Sequence, residues 1–470
     1  MKILVTGASG IVGRPLVERL LADGHEVIGL CRHPEKTDTP HLQWLAGDVS
    51  KPRLGQSRKI WQQLCEEIDT IFHLAARTDF KGKSLEDYAP INIDGVGHIK
   101  DLALAANAWL HHVSTAFVSG DWAGEFREEQ LKEGQKFRNY YEESKCRGEC
   151  LLREEPTPRY TVYRPAIILE RKPTAGSTSV FGPFVFLDGV FRLCLGTIKR
   201  KKEEHLKTIR VQGNTEAQLP FVFDDQVTLA LSYLAANKRE HGKTYNLVPS
   251  TPLANNTLGQ VFNQAFSRQV VALVNGADFT KTPPDTAEKI LAKKTKMYTP
   301  YLDLKTEFAR NNLEDAMGKD VLPAIGEEEL LAAFSIFLST KKDLNKVVSP
   351  NEEYHLDRYF GQFLAEHRGK PLIKNLASLS ACLHVKITGY DSWTITIDKG
   401  VLTRVEKGSS GNFGYTTDGK TFLQVASGKI SPQQGFFQGA IQIEANPKEA
   451  LRTATALEEF FREYPYHFQL

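Results

Sequence analysis

The chain has 470 residues, enough for about three folding units at roughly 150 residues each. It is 41% hydrophobic and 25% charged, and 59 Lys and Arg against 57 Asp and Glu leave a net charge of +2. That composition is globular and gives no overall electrostatic case for nucleic acid. Six cysteines, scattered at 31, 65, 146, 150, 194 and 382, exclude a disulfide scaffold and show no CxxC metal pattern. No apolar run reaches the ~18 residues of a membrane-spanning helix. The N-terminus enters Lys2-Ile3-Leu4-Val5 at once, leaving no room for a signal peptide, so a cytoplasmic protein without a metal is expected.

From residue 1 to about 170, β-branched runs alternate with helical patterns. Ile3-Leu4-Val5, Val27-Ile28-Gly29-Leu30, Thr70-Ile71-Phe72-His73-Leu74, His112-Val113-Ser114 and Thr161-Val162-Tyr163 read as buried parallel strands. Pro15 to Leu21 has apolar residues at helical spacing. The alternation predicts an α/β doubly wound parallel sheet. Thr6-Gly7-Ala8-Ser9-Gly10-Ile11-Val12-Gly13 follows the first strand and opens the first helix. Gly7 permits a tight turn, Gly10 lets the backbone approach a pyrophosphate, and Gly13 allows close helix–strand packing. The helix N-terminus adds unpaired N–H groups and partial positive charge. The second strand ends at Leu30-Cys31-Arg32-His33. An acidic residue there would bond the ribose 2′-OH of NAD, whereas Arg32 offers charge-assisted donors to a 2′-phosphate. NADPH is therefore expected over NADH, although Arg32 stacked on adenine is equally compatible with the position.

Tyr141-Glu142-Glu143-Ser144-Lys145 follows on a predicted helix, and residues four apart share one face. A free phenol titrates near ~10, too high for proton transfer at neutral pH, and a cation beneath it would lower that value by roughly 1–3 units. Ser114 and Thr115 lie upstream; counting back from Gly120 favours Thr115 as the catalytic hydroxyl and leaves Ser114 a strand cap. Cys146 and Cys150 read as core packing.

These motifs resemble the extended short-chain dehydrogenases/reductases, with a TGxxGxxG loop in place of GxGxxG. The resemblance implies a Rossmann-type fold, Tyr141 as general acid/base, Lys145 as the residue that lowers its pKa and binds the nicotinamide ribose, and Thr115 on the reacting oxygen. Gly47-Asp48-Val49 resembles the adenine-contacting motif, and His73-Leu74-Ala75-Ala76 matches the segment lying against the cofactor. Asn92 matches a cofactor-proximal asparagine and is equally plausible as a structural helix-cap residue. The blocks Val113 to Gly120, Phe137 to Lys145 and Tyr163-Arg164-Pro165-Ala166-Ile167-Ile168 narrow the likeness to fatty acyl-CoA reductases and thioester reductase domains. Pro165 and Ile168 are expected at the cofactor, with Ser9, Ile11, Val12 and Leu74. Sterol dehydrogenases of the 3β-hydroxysteroid type share the core motifs, so the motifs leave the substrate open.

Beyond residue 170 a smaller, mainly helical substrate subdomain is expected, with cap elements in 174–220 and 250–340. Pro220-Phe221-Val222-Phe223 is expected to return to the main sheet. Thr174 to Ser179 and the charged run Lys199 to His205 read as loops or exposed helix faces. Leu338 to Asp343 reads as a linker, dividing a first domain (1–340) from a second (350–470). The second shows alternating strands at Thr394 to Ile397, Val401 to Val405 and Thr421 to Val425, with Gly400, Gly408, Gly411, Gly414 and Gly419 at turns and a closing helix from Glu449 to Phe461.

Ser427 to Asn446, with paired Phe436 and Phe437 before Gln438-Gly439, resembles the SCP2 sterol-carrier family, with Ala445 in place of a family glycine. That likeness implies an α+β lipid-binding module with Phe436, Phe437 and Gln438 at an apolar tunnel; dimerisation is the other use for such a module. The joint expectation is an NADPH-dependent oxidoreductase acting on a hydrophobic or carrier-bound lipid carbonyl or alcohol. The rivals are a sterol dehydrogenase and a non-catalytic lipid-transfer protein.

Overall fold

The computed structural model describes residues 1–34, 39–173, 182–200, 207–348, 352–372 and 377–466. The predicted loop at 174–179 lies outside them, as does the charged run beyond Arg200. The chain forms two compact units, one through residues 1–196, 207–262 and 271–342, the other built on residues 343–470.

The first unit is organised on seven strands: β1 (Lys2–Thr6), β2 (Glu26–Cys31), β3 (Leu42–Ala46), β4 (Thr70–His73), β5 (Trp109–Val113), β6 (Tyr160–Pro165) and β7 (Thr244–Leu247). All pair in parallel, in the order β7-β6-β5-β4-β1-β2-β3. A parallel sheet buries both faces, which is why these strands are nearly continuous apolar runs. Ile3 and Val5 point to one face, with Leu16, Val17 and Leu20 of α1 (Gly13–Ala22) and Val227, Leu231 and Leu234 of α2 (Asp224–Ala236). Leu4, Ile71 and Leu110 point to the other, against Val96, Ile99 and Leu102. The order reverses between β1 and β4, and the carboxyl ends of those strands form the crevice where such sheets bind ligands.

One expectation for this unit is corrected. Phe221–Phe223 does not join the main sheet; it pairs in parallel with Ile167–Leu169 as a separate two-stranded ribbon. Pro165 has no N–H to extend the β6 ladder, and β7 already fills that edge. The edge itself is clasped from both earlier and later in the chain. The Glu128 carboxylate accepts from Asn246 N at 3.2 Å and Asn312 N at 2.7 Å, and the Asn312 amide donates to Thr244 O at 2.9 Å.

The second unit has a five-stranded sheet ordered β10-β9-β8-β11-β12, from β8 (Ala381–Ile387), β9 (Ser392–Asp398), β10 (Val401–Lys407), β11 (Phe413–Thr417) and β12 (Ile441–Glu444). Here β8 and β11 run parallel and the other pairs antiparallel. Thr421 to Val425, expected as a strand, belongs to helix α3 (Gly419–Ala426). Asp418 caps it by accepting from Thr421 N at 2.9 Å, and buried Phe422, Leu423, Val425 and Ala426 follow helical spacing. Gly414 is not at a turn but inside β11, with the His384 ring where a side chain would stand. Helices α4 (Pro432–Phe437) and α5 (Pro447–Glu463) complete the unit.

Candidate active site

A cavity of about 760 Å³ opens at the β1/β4 crevice. One end is lined by the glycine loop from Gly7 to Gly13 (Ala8 excepted), Arg32, Asp48, Val49 and Leu74 to Ala76. Gly7 has φ +69°, and a Cβ there would stand 2.8 Å from Ala75 N; at Gly13 one would stand 2.1 Å from Gly7 O. The loop therefore has its shape only with glycine at both positions. No side chain caps α1 and its first turn has no acidic residue, so its N–H groups and positive dipole end suit an anion. Arg32 is exposed at the end of β2. Burial opposes ionisation of Asp48, but the Ser50 hydroxyl and N–H, with Arg32 nearby, hold its carboxyl below the usual range. These residues fit a dinucleotide, with pyrophosphate at the glycine loop.

In mid-cavity stand Thr115, Tyr141 and Lys145. Tyr141 and Lys145 lie on the helix Tyr140–Leu152, started by Asn139, whose side chain accepts from Glu142 N at 3.0 Å. Thr115 Oγ1 accepts from Phe117 N at 3.3 Å and favours ionisation of Tyr141, whereas Ser114 is buried on the side of Glu149. The Lys145 ammonium donates to Val113 O at 2.8 Å, and burial depresses its pKa to about 8 against the pull of Glu149. Burial pushes the Tyr141 phenol up to about 12, with Thr115 pulling the other way. The phenol is thus raised rather than lowered, because the loss of water around it, with the Glu142 carboxylate adding to the rise, outweighs the pull of Thr115. Two buried histidines flank this point. His73 Nδ1 meets Thr6 Oγ1 at 2.7 Å, and burial lowers the pKa of His73 to about 3. Burial also keeps His112 neutral.

The far end is apolar, with Phe186, Phe221, Leu258, Phe262, Leu273 and Leu302. Between the two ends stands an aromatic throat that sequence reading missed. Phe80 lies 5.6 Å from Tyr141 and 5.0 Å from Tyr298, and Tyr301 lies 5.0 Å from Phe117 between ring centroids. Tyr301 is held rigidly: its hydroxyl donates to Glu142 Oε1 at 2.5 Å and accepts from Asn139 Nδ2 at 2.9 Å. Of the other expected residues, Pro165 and Ile168 line the cavity. Asn92 does not; its amide donates to Arg77 O and Ser144 Oγ, bracing the loop after β4 against the catalytic helix.

In the second unit a smaller cavity of about 100 Å³ is walled by Leu383, Val385, Ile395, Ile443, Leu457 and other apolar side chains. Phe436 lines it, but Phe437 and Gln438 do not, and Phe437 is 84% exposed. The expected aromatic pair is split because a short helix points successive residues 100° apart.

Residues 31–213 match the model of the male sterility protein family, an NAD-binding domain, and residues 361–458 match the SCP-2 sterol transfer family. Curated relatives include the hybrid PKS-NRPS synthetase pvhA of Talaromyces variabilis, 34% identical over 122 residues, 25% of this chain and 3% of that protein. The polyketide synthase-nonribosomal peptide synthetase phmA of Phaeosphaeria nodorum is 28% identical over 125 residues, again 25% of this chain and 3% of that protein. The chain thus spans about 3% of the length of these synthetases. An uncharacterized protein of Mycobacterium tuberculosis is 47% identical over 49 residues, 10% of this chain and 6% of that one. Among solved structures, the terminal R domain from the myxalamid PKS-NRPS pathway is 22% identical with TM-score 0.58, covering 72% of this chain and 90% of that one. UDP-glucose 4-epimerase from Thermotoga maritima is 17% identical with TM-score 0.51, covering 72% and 99%. These two likenesses show the fold. With the glycine loop, the family match over residues 31–213 marks the first unit as an NAD-binding domain. The first unit is thus similar to the male sterility protein family over residues 31–213, and the second to the SCP-2 sterol transfer family over residues 361–458.

Proposed function

We propose that the protein reduces a hydrophobic acyl thioester, or the derived aldehyde or ketone, with NADPH, and that the SCP-2 unit carries the lipid. The observation that carries this reading is the single cavity joining the glycine loop, the Thr115–Tyr141 pair and an apolar wall. Arg32, exposed at the adenosine end, supplies charge-assisted donors to a 2′-phosphate. The glycine loop and Arg32 would hold NADPH, which would supply the hydride for the carbonyl carbon; a thioester so reduced becomes a hemithioacetal that collapses to the aldehyde with release of the thiol. Thr115 holds the carbonyl oxygen, and Tyr141 gives that oxygen its proton. Lys145, fixed on Val113 O, provides the positive charge that stabilises the resulting phenolate. The apolar wall takes the chain, each buried CH₂ contributing about 0.8 kcal/mol.

The test is NADPH oxidation against a series of acyl thioesters and aldehydes of increasing chain length. Activity should rise with length, and Tyr141→Phe should lower turnover ~10²–10⁴-fold while cofactor binding and folding persist. Thr115→Ala should cost more than Ser114→Ala. Tyr141→Phe activity within threefold of wild type would remove the assignment.

A further inference from the structure

The segment from Ile430 to Ile443 contains no charged residue, in a chain that is 25% charged. It carries α4, and Phe437, 84% exposed, stands at the end of that helix with its ring 5.9 Å from that of Phe436. Phe436 and Leu451 both line the apolar cavity and are 37% and 39% exposed, so they mark its mouth. Exposed Lys448 and Arg452 flank Leu451 on α5, while the nearby Glu449 carboxylate is engaged by the Asn446 amide at 2.6 Å.

We propose that this face docks on a lipid bilayer containing anionic headgroups, with Phe437 entering the interface and the cavity mouth set against it. A membrane is the occupant these features favour over a protein. Three exposed apolar side chains fall far short of the roughly 800 Å² per partner of a stable protein interface. A bilayer requires only shallow apolar insertion, strengthened by flanking cations. An apolar ligand leaving the cavity there passes into hydrocarbon without crossing water, a purpose that rests on the lipid-carrying reading given above.

The full-length protein is co-sedimented with vesicles of phosphatidylcholine, with and without phosphatidylglycerol. Wild type should bind the phosphatidylglycerol vesicles more tightly, and added salt should weaken that preference. Phe437→Ser, a change at an exposed position, should lower partitioning roughly tenfold with unchanged circular dichroism. Lys448→Gln with Arg452→Gln should remove the preference for anionic vesicles. Equal binding of wild type and Phe437→Ser, or no wild-type binding to either vesicle, overturns the proposal. So does a Phe437→Ser that changes only the oligomeric state in sedimentation velocity. Uptake of a fluorescent fatty acid without vesicles reads the cavity separately: its failure, with vesicle binding intact, removes the carrier reading and leaves the docking surface standing.

Discussion

On the proposed reading, Arg32 is where one side chain selects NADPH over NADH. It stands exposed at the carboxyl end of β2, close enough to Asp48 to favour that carboxylate's charge. Losing a charge-assisted bond to a 2′-phosphate costs about 1.5–3 kcal/mol, roughly 10- to 150-fold in affinity. Arg32→Ala should therefore weaken NADPH by that factor and NADH little, as read by fluorescence titration; equal weakening would place Arg32 on the adenine. At this scale the sequence was legible wherever function lies in a local spacing. The loop from Gly7 to Gly13 and the Tyr141–Lys145 pair carry their own signature. Tyr301 and Phe80 carry none, because Phe80 meets Tyr141 across 60 residues of intervening chain and Tyr301 meets Phe117 from a still more distant part of the sequence. Asn92 was left open between a cofactor and a structural role, because its motif is local while its amide partners, Arg77 and Ser144, are not.

Among elements, two local conflicts have measurable consequences. Ala445, directly after β12, has φ +56°, a left-handed conformation that costs a Cβ-bearing residue roughly 1–2 kcal/mol. Ala445→Gly should raise stability by about 1 kcal/mol in urea or thermal unfolding, and a lower melting temperature would refute the strain. The second is the clasp on β7. Burial raises the Glu128 pKa to about 7, against the pull of the Asn312 and Asn246 N–H groups, whereas its ordinary value is 4.5. Between those values the folded protein keeps a proton that the unfolded chain has lost, so this group's contribution to stability falls as pH rises from about 4.5 to 7, then levels. The wild-type melting temperature should fall across that window relative to Glu128→Gln; parallel curves would exclude it. Elements were legible where burial is two-sided, as in β1 and β4. They were misread where a capping residue decides: Thr421 to Val425 alternates loosely enough for a strand, but Asp418 starts a helix. Strand β7 was not foreseen at all, since its place is set by Glu128 and Asn312, far away in sequence.

For the whole molecule, the proposed reductase unit and the SCP-2-like unit in one chain predict a division of labour. Tethering holds bound substrate at about millimolar effective concentration, which matters most for poorly soluble chains. A chain ending at Lys342 should keep NADPH binding and its kcat/KM on short soluble substrates, and lose efficiency as chain length grows; an equal loss at all lengths would make the second unit a support for folding. The clasp on β7 also imposes a timetable on synthesis. Translation passes residue 247 well before Asn312 exists, and at 5–20 residues per second the wait is roughly 3–13 s. Throughout that interval the nascent sheet has an unlatched margin, open to trigger factor-like holdases or to a neighbouring polysome. A gene cut at residue 213, where the family match ends, would supply neither β7 nor its latch and would leave β6 a bare edge, so its product should emerge insoluble however intact its glycine loop and its Tyr141–Lys145 pair.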